Sequence, residues 1–210
     1  MNTQKMYMHL LSGSLLITLL ILPHTGWTKT EYRTWIGTGI SSGKYTEEKN
    51  SIDEEISGRS KEFVLFHRKG GYGLSAGLGI QDTIVDTTFI DDDKNQHDIY
   101  YRNVSGYALL GLKIKIWFLH IGAHGLAGQG ETTFQKKFTS SKGEVTTYER
   151  LKFSTEFIGS EGMVFLDLED NWVLGAKQGN YNHKLNAKFG DVEAVITNNQ
   201  IVTVFIGVEW

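Results

Sequence analysis

Beyond Thr30 the chain repeatedly alternates with period two. This commits it to strands with unlike faces, because successive side chains of a strand point to opposite sides. In YRTWIGTGIS, Tyr32, Thr34, Ile36, Thr38 and Ile40 oppose Arg33, Trp35, Gly37, Gly39 and Ser41. In YGLSAGLGIQ, Tyr72, Leu74, Ala76, Leu78 and Ile80 oppose Gly73, Ser75, Gly77, Gly79 and Gln81. ERLKFSTEF sets Leu151, Phe153, Thr155 and Phe157 against Arg150, Lys152, Ser154 and Glu156. The final segment, QIVTVFIGVEW, sets Val202, Val204, Ile206, Val208 and Trp210 against Ile201, Thr203, Phe205, Gly207 and Glu209.

Eight such segments predict strands at 32–45, 61–69, 72–85, 99–113, 116–130, 148–168, 172–184 and 199–210. The intervening stretches 46–60, 86–98, 131–147 and 185–198 read as long polar loops; the joins near Gly70–Gly71, Lys113–Lys115 and Glu169–Asn171 read as tight turns. Long and short alternate, so an up-and-down barrel would gather all long loops at one end. Long external loops and short internal turns belong to outer-membrane barrels. The expected fold is all-β: an eight-stranded antiparallel up-and-down transmembrane β-barrel preceded by an N-terminal signal peptide helix. Residues 1–28 form the signal peptide, and 29–210 the outer-membrane barrel domain. The signal rests on Lys5, the thirteen-residue run Leu10–Leu22 and Pro23, with cleavage near Gly26 to Thr28. That run is too short for a spanning helix of about 20 residues.

Composition narrows the chemistry. The absence of Cys excludes a disulfide scaffold, thiolate metal sites and a Cys nucleophile. A formal charge of −3 offers no footprint for nucleic acid. Gly supplies 24 of 210 residues and Pro only one, a bias that suits long strands.

In an eight-stranded barrel the interior is barely wide enough for side chains, so rows such as Ser75, Gly77 and Gly79 should face inward and the bulky apolar rows outward to lipid. The expected interior polar network is Arg33, His120, His124, Arg150, Lys152, Glu156, Glu161, Lys177 and Glu209. Keeping Glu161 out of hydrocarbon while Arg150, Lys152 and Glu156 face inward requires a β-bulge near Gly159–Gly162. Two ion pairs are expected, Glu161 with Lys177 and Arg33 with Glu209, the former from pairing 163 with 177. Aromatic residues near strand ends (Tyr32, Tyr72, Tyr100, Tyr101, Trp117, Tyr148, Trp172, Trp210) would form interfacial girdles.

The C-terminal strand, with Val202, Val204, Ile206, Val208 and Trp210 on one face, resembles the assembly signal of Gram-negative outer-membrane proteins, although that pattern more often ends in Phe. With the signal segment and the loop asymmetry, the chain resembles small eight-stranded barrels such as the OmpA membrane domain, OmpX and the Ail-type surface proteins. The resemblance implies outer-membrane lipid, lipopolysaccharide and the barrel-assembly machinery as partners, with a host or envelope ligand at the loops. It implies a monomer in adhesion, resistance or envelope integrity, and supplies no catalytic residues.

Other chemistry finds little support in the residues. His120 and His124 lie on an alternating strand about 13 Å apart, too far for one tetrahedral ion. GGYGLSAGLG lacks the Lys-Ser/Thr ending of a phosphate loop. Asp91, Asp93 and Asn95 match the first calcium-loop spacings, but Gln96 stands where Gly is required and Arg102 where an acid is. No catalytic, cofactor or metal site is expected. His120, His124, Ser154 and Glu156 are hydrolase ingredients without a nucleophile motif. The expected function is a structural or surface-interaction role with a packed polar interior and no open pore. The alternatives are a soluble periplasmic lipocalin-like barrel and an outer-membrane lipid-modifying enzyme.

Overall fold

The computed structural model describes residues 31–48, 52–69, 73–189 and 192–210. The expected signal segment, and Tyr72, lie outside these. Nine strands follow one another: β1 (Glu31–Glu47), β2 (Ile52–Lys69), β3 (Leu74–Ile90), β4 (Gln96–Ile116), β5 (Leu119–Thr139), the short β6 (Val145–Thr147), β7 (Leu151–Asp167), β8 (Trp172–Phe189) and β9 (Val192–Glu209). The sheet order β4-β3-β2-β1-β9-β8-β7-β5 is closed by β4 pairing with β5, and every neighbour is antiparallel. The result is an eight-stranded barrel, with β6 an added edge on the far part of β5.

The apolar rows face outward over the end that carries the turns at 117–118 and 168–171. Leu74 is 41% exposed and Val204 56%, and Ile36, Ile40, Leu110, Leu112, Ile121, Val164, Leu174 and Ile206 join them in a continuous belt. Along β9 the belt runs from Val202 to Trp210, about 26 Å at ~3.3 Å per residue, or ~20 Å after a strand tilt of ~40°. Trp117, Trp172 and Trp210 rim its lower edge. No matching upper girdle exists among the described residues. Tyr101 instead points inward and is fully buried, while Tyr100 and Tyr148 sit well above the belt.

The segments expected to be long loops are largely strand. At the far end β1 reaches Glu47 and β2 begins by Ile52, β8 reaches Phe189 and β9 begins by Val192, and the described joins shrink to 91–95 and 140–150. The period-two pattern continues through these stretches with its chemistry reversed: Ile52 and Ile56, Val85, Ile99, Phe134, Leu185 and Ile196 point inward, and the charges point out. Strands rising into water need polar outer faces, so their composition mimics that of loops.

Above the belt the barrel divides. Pairing of β2 with β3 stops at Arg59↔Ile84, and pairing of β7 with β8 stops at Ile158↔Asn182. All other pairs continue towards the tips. The upper part is therefore two facing sheets, β2-β1-β9-β8 and β3-β4-β5-β7, with two open seams. Register shifts at Ser42/Gly43 of β1 and Asn180/His183 of β8 meet on β9 between them, which skips residue 199 in both ladders, at the level where this sheet leaves the belt. Bulges increase local twist and bend a strand, which suits this position.

Two clusters fill the interior. Trp35, Val64, Tyr107, Leu109, Leu126, Phe157, Met163, Phe165, Val173 and Phe205 pack inside the belt. Tyr45, Ile52, Ile56, Val85, Ile99, Tyr101, Phe134, Leu185, Ala187, Ala194 and Ile196 join the two sheets of the head. Between them lies a polar layer in which Asn103 donates to Thr132 at 2.8 Å and Thr155 at 3.0 Å and accepts from Ser105 at 3.0 Å. A void of about 10 Å³ beside it has room for a single water at most.

Candidate functional site: a charged lumen beneath a two-sheet head

Inside the belt, strand parity brings charges from distant segments together. The Lys177 ammonium, 1% exposed, donates to Glu161 at 2.7 Å and Glu62 at 2.5 Å. Tyr107 donates its hydroxyl to the same Glu62 oxygen. Met163 sits opposite Lys177 in the β7–β8 ladder, which sets Glu161 diagonal to it. His124 extends the cluster: its Nδ1 lies 3.3 Å from Glu161, and its Nε2 lies 2.7 Å from the Ser75 hydroxyl and 3.5 Å from His67.

A second cluster closes the lower end. Arg33 pairs with Glu209, its neighbour across the β1–β9 ladder, and with Asp167 at 3.3 Å. Asp167 also accepts from Lys115 and His120, each at 2.6 Å. The ring of His120 stacks on Phe165 at 4.4 Å, and Arg33 and Lys113 lie over the same ring at 5.0 and 5.2 Å. Buried charges persist only where they are paired in this way.

Of the residues expected in the interior, Arg33, His120, His124, Glu161, Lys177 and Glu209 face the lumen. Arg150, Lys152 and Glu156 do not. The pleat of β7 runs unbroken, with no register shift against β5 or β8, so there is no bulge at Gly159–Gly162. Thr155, Phe157, Glu161 and Met163 form one inward row, and Lys152, Ser154 and Glu156 point out. Above the belt the outer face meets water, where charge costs little and the apolar side chains turn in. Lys152 there pairs with Glu131 at 3.2 Å, and Arg150 donates to Gln135 and lies over the Tyr100 ring. Glu62, His67, Tyr107 and Asp167 were not singled out by sequence. Glu62 and His67 have opposite parity on β2, and the register shift between Val64 and Phe66 turns both inward.

The hydrolase ingredients are dispersed accordingly. Ser154 and Glu156 lie outside the head, whereas His120 and His124 lie inside the belt, each engaged by a different carboxylate. Ser75, His124 and Glu161 have the connectivity of a nucleophile–base–acid chain. All three are at most 3% exposed, sealed below by the Arg33–Asp167 cluster.

At the tip of the head Asp91 caps its own turn. Its carboxylate accepts from the Asn95 amide at 2.8 Å, the Asn95 side chain at 3.0 Å and His97 at 2.9 Å, leaving little for a cation. Partial burial alone would raise the Asp91 pKa, but the hydrogen bonds from His97 and Asn95 outweigh it and hold the group at about 2. Asn95 also accepts from the Ser141 amide at 3.0 Å, tying this tip to the next. Lower in the head Lys136 pairs with Glu47 at 2.6 Å across the two sheets, with Tyr45 donating to the same carboxylate.

An outward apolar belt, a lumen of paired charges and strands that continue into water define the fold of an outer-membrane β-barrel. Two solved outer-membrane protein structures share this fold. The chain is similar in fold to the outer-membrane protease OmpT of Escherichia coli (TM-score 0.54, 11% identity, covering 89% of this chain and 99% of that one). It is similar also to a major outer-membrane protein of Thermus thermophilus (TM-score 0.53, 10% identity, 87% and 100%). The attachment invasion locus protein Ail of Yersinia pestis aligns with a TM-score of 0.43 at 14% identity, covering 85% of this chain and 99% of that one. No protein-family model and no curated protein matches the sequence.

Proposed function

We propose that the chain is a monomeric barrel of the Gram-negative outer membrane, exported by residues 1–28, whose working surface is the two-sheet head. The observation that carries this reading is an inversion of sidedness along the strands. Below the level of Ile40, Ile158 and Val202 the outside is apolar and the inside holds the clustered charges beside its aromatic core; above it the outside is charged and the inside mainly apolar. Such a strand suits hydrocarbon at one end and water at the other. A soluble lipocalin-like barrel would have no use for the belt.

The partners are outer-membrane lipid and lipopolysaccharide around the belt, the barrel-assembly machinery at the Val202–Trp210 strand during insertion, and an external ligand at the head. The filled interior argues against an open pore, and the sealing of Ser75 and His124 argues against hydrolysis of a lipid or peptide. Fractionation tests the core of the reading: the protein should require detergent, whereas release by osmotic shock would refute it. Tags inserted at Asp92 and Ser140 should both be labelled on intact cells. Reconstituted protein should show no large conductance steps. A lipid extract incubated with it should yield no new acyl product; either signal would overturn the non-pore or non-enzyme reading.

A further inference from the structure

We propose that the seam between β2 and β3 is a docking site for an extended peptide that is basic along its length and ends in a free carboxylate. The inference rests on the head being the working surface, and it adds the chemistry of the partner. β2 continues to pair with β1 as far as Ile52, and β3 with β4 as far as Ile90, yet β2 and β3 leave each other above Arg59↔Ile84. Residues 52–58 and 85–90 therefore present two facing sheet edges without a ladder between them. An unpaired edge is a template for strand addition. Six residues at ~3.3 Å each span about 20 Å, the length of these edges. At the foot of the seam a cavity of about 680 Å³ is lined by Ser57, Gly58, Arg59, Lys61, Ile84 and Asp86, among others.

The charges along this groove have a direction. At the foot, Arg59 and Lys61 point outward and form no ion pair among the described residues, while their neighbour Asp82 is held by Arg102 at 2.9 Å. Further up, Glu55 and Asp86 are exposed on the two banks, again without an ion pair among the described residues. Lys44, which faces Glu55 in the ladder, is bonded instead to Asp53 at 2.8 Å. β3 runs from foot to tip, so a strand added antiparallel to it runs from tip to foot and delivers its C-terminus to Arg59 and Lys61. Its outward side chains then pass Glu55 and Asp86, which select for Lys or Arg. Its inward side chains meet the half-buried Phe89, at the edge of the apolar cluster that Val85, Ile52 and Ile56 close beneath it, which selects for apolar residues. The ligand is thus an alternating apolar and basic segment with a free carboxyl terminus.

The test titrates an N-terminally labelled heptapeptide of alternating valine and lysine onto the purified full-length protein in detergent micelles at low salt. Saturable binding is expected. It should weaken about ten-fold or more when alternate amides are N-methylated, which removes main-chain donors but no charge. A comparable loss is expected for a peptide with glutamate in place of lysine, and for the variant E55K/D86K. C-terminal amidation of the peptide, or Arg59→Glu in the protein, should each weaken binding several-fold. No saturable binding up to about 1 mM, or affinity indifferent to N-methylation and to E55K/D86K, would overturn the proposal. Because the assay is done in micelles, it does not depend on where the chain resides. Peptide binding by a protein that fractionates as soluble would refute the envelope reading alone.

Discussion

Lys177 is the keystone of the lumen, and its removal has a calculable cost. The ammonium sits 2.7 Å from Glu161 and 2.5 Å from Glu62, with all three side chains excluded from solvent. At an effective dielectric of about 20, each contact contributes roughly 6 kcal/mol of attraction. Desolvation of the three groups takes back most of that sum. Lys177→Met keeps the volume but leaves two carboxylates facing each other without a counter-charge, and should therefore destabilise the barrel by about 3–5 kcal/mol. The triple variant E62Q/E161Q/K177M removes the charges together and should recover most of the loss. Equilibrium urea unfolding in lipid vesicles, followed by tryptophan fluorescence, measures both. If K177M unfolds within about 1 kcal/mol of the parent, Lys177, Glu62 and Glu161 do not form a desolvated, mutually dependent cluster.

Further predictions follow from separate parts of the molecule. A Cβ on Gly111 would stand 2.0 Å from the Ala123 carbonyl oxygen, so Gly111→Val should cost about 3 kcal/mol or more; Gly106 has nothing within 4 Å, and Gly106→Val should stay within about 0.5 kcal/mol, both read by the same unfolding curve. Trp210 stacks on Tyr32 at 5.1 Å and donates to Thr34 at 3.2 Å, so Trp210→Ala should cost about 1 kcal/mol and slow closure of β9 onto β1 in refolding experiments. Cysteines at Lys152 and Glu156 should react with an aqueous maleimide and one at Phe157 should not; the opposite pattern would restore the bulge in β7. Asp91 has a depressed folded-state pKa, so its contribution to the tip is present above its ordinary value near 3.8 and is lost as pH falls towards about 2. Hydrogen exchange at residues 91–97 should accordingly stay slow at pH 4 and rise below pH 3, and Asp91→Ala should abolish that dependence.

The belt was legible because lipid and a narrow lumen impose opposite demands on alternate residues. Leu74, Leu78 and Ile80 against Ser75, Gly77 and Gly79 allow one assignment, as do Val202, Val204 and Ile206 against Thr203 and Gly207. The Arg33–Glu209 and Glu161–Lys177 contacts follow from turn positions once the strands are placed. The head was not legible by the same rule, because water outside reverses the chemistry while leaving the period intact. IDEEISGRS reads as a polar loop until Ile52 and Ile56 are seen as one inward row, and ETTFQKKFT hides Phe134 and Phe138 in the same way. Applying the belt's rule there turned Arg150, Lys152 and Glu156 inward and made a bulge necessary. The Glu62–Tyr107 and Ser75–His124 contacts escaped for another reason: the partners meet across the lumen, and no local spacing encodes a distance through a barrel.

The division of the head assigns the strands unequally along the chain. The sheet β3-β4-β5-β7 is a meander in which each strand pairs with the one laid down before it, the only excursion among the described residues being residues 140–150 with the short β6. The sheet β2-β1-β9-β8 joins the start of the barrel to its end, and Arg33 meets Glu209 only after every other strand has been laid down. Contacts of such sequence separation form slowly, since the entropy of closing the intervening chain must be met before they stabilise anything. One half of the molecule can therefore mature while the rest is still arriving, and the other half waits for the last strand to be delivered.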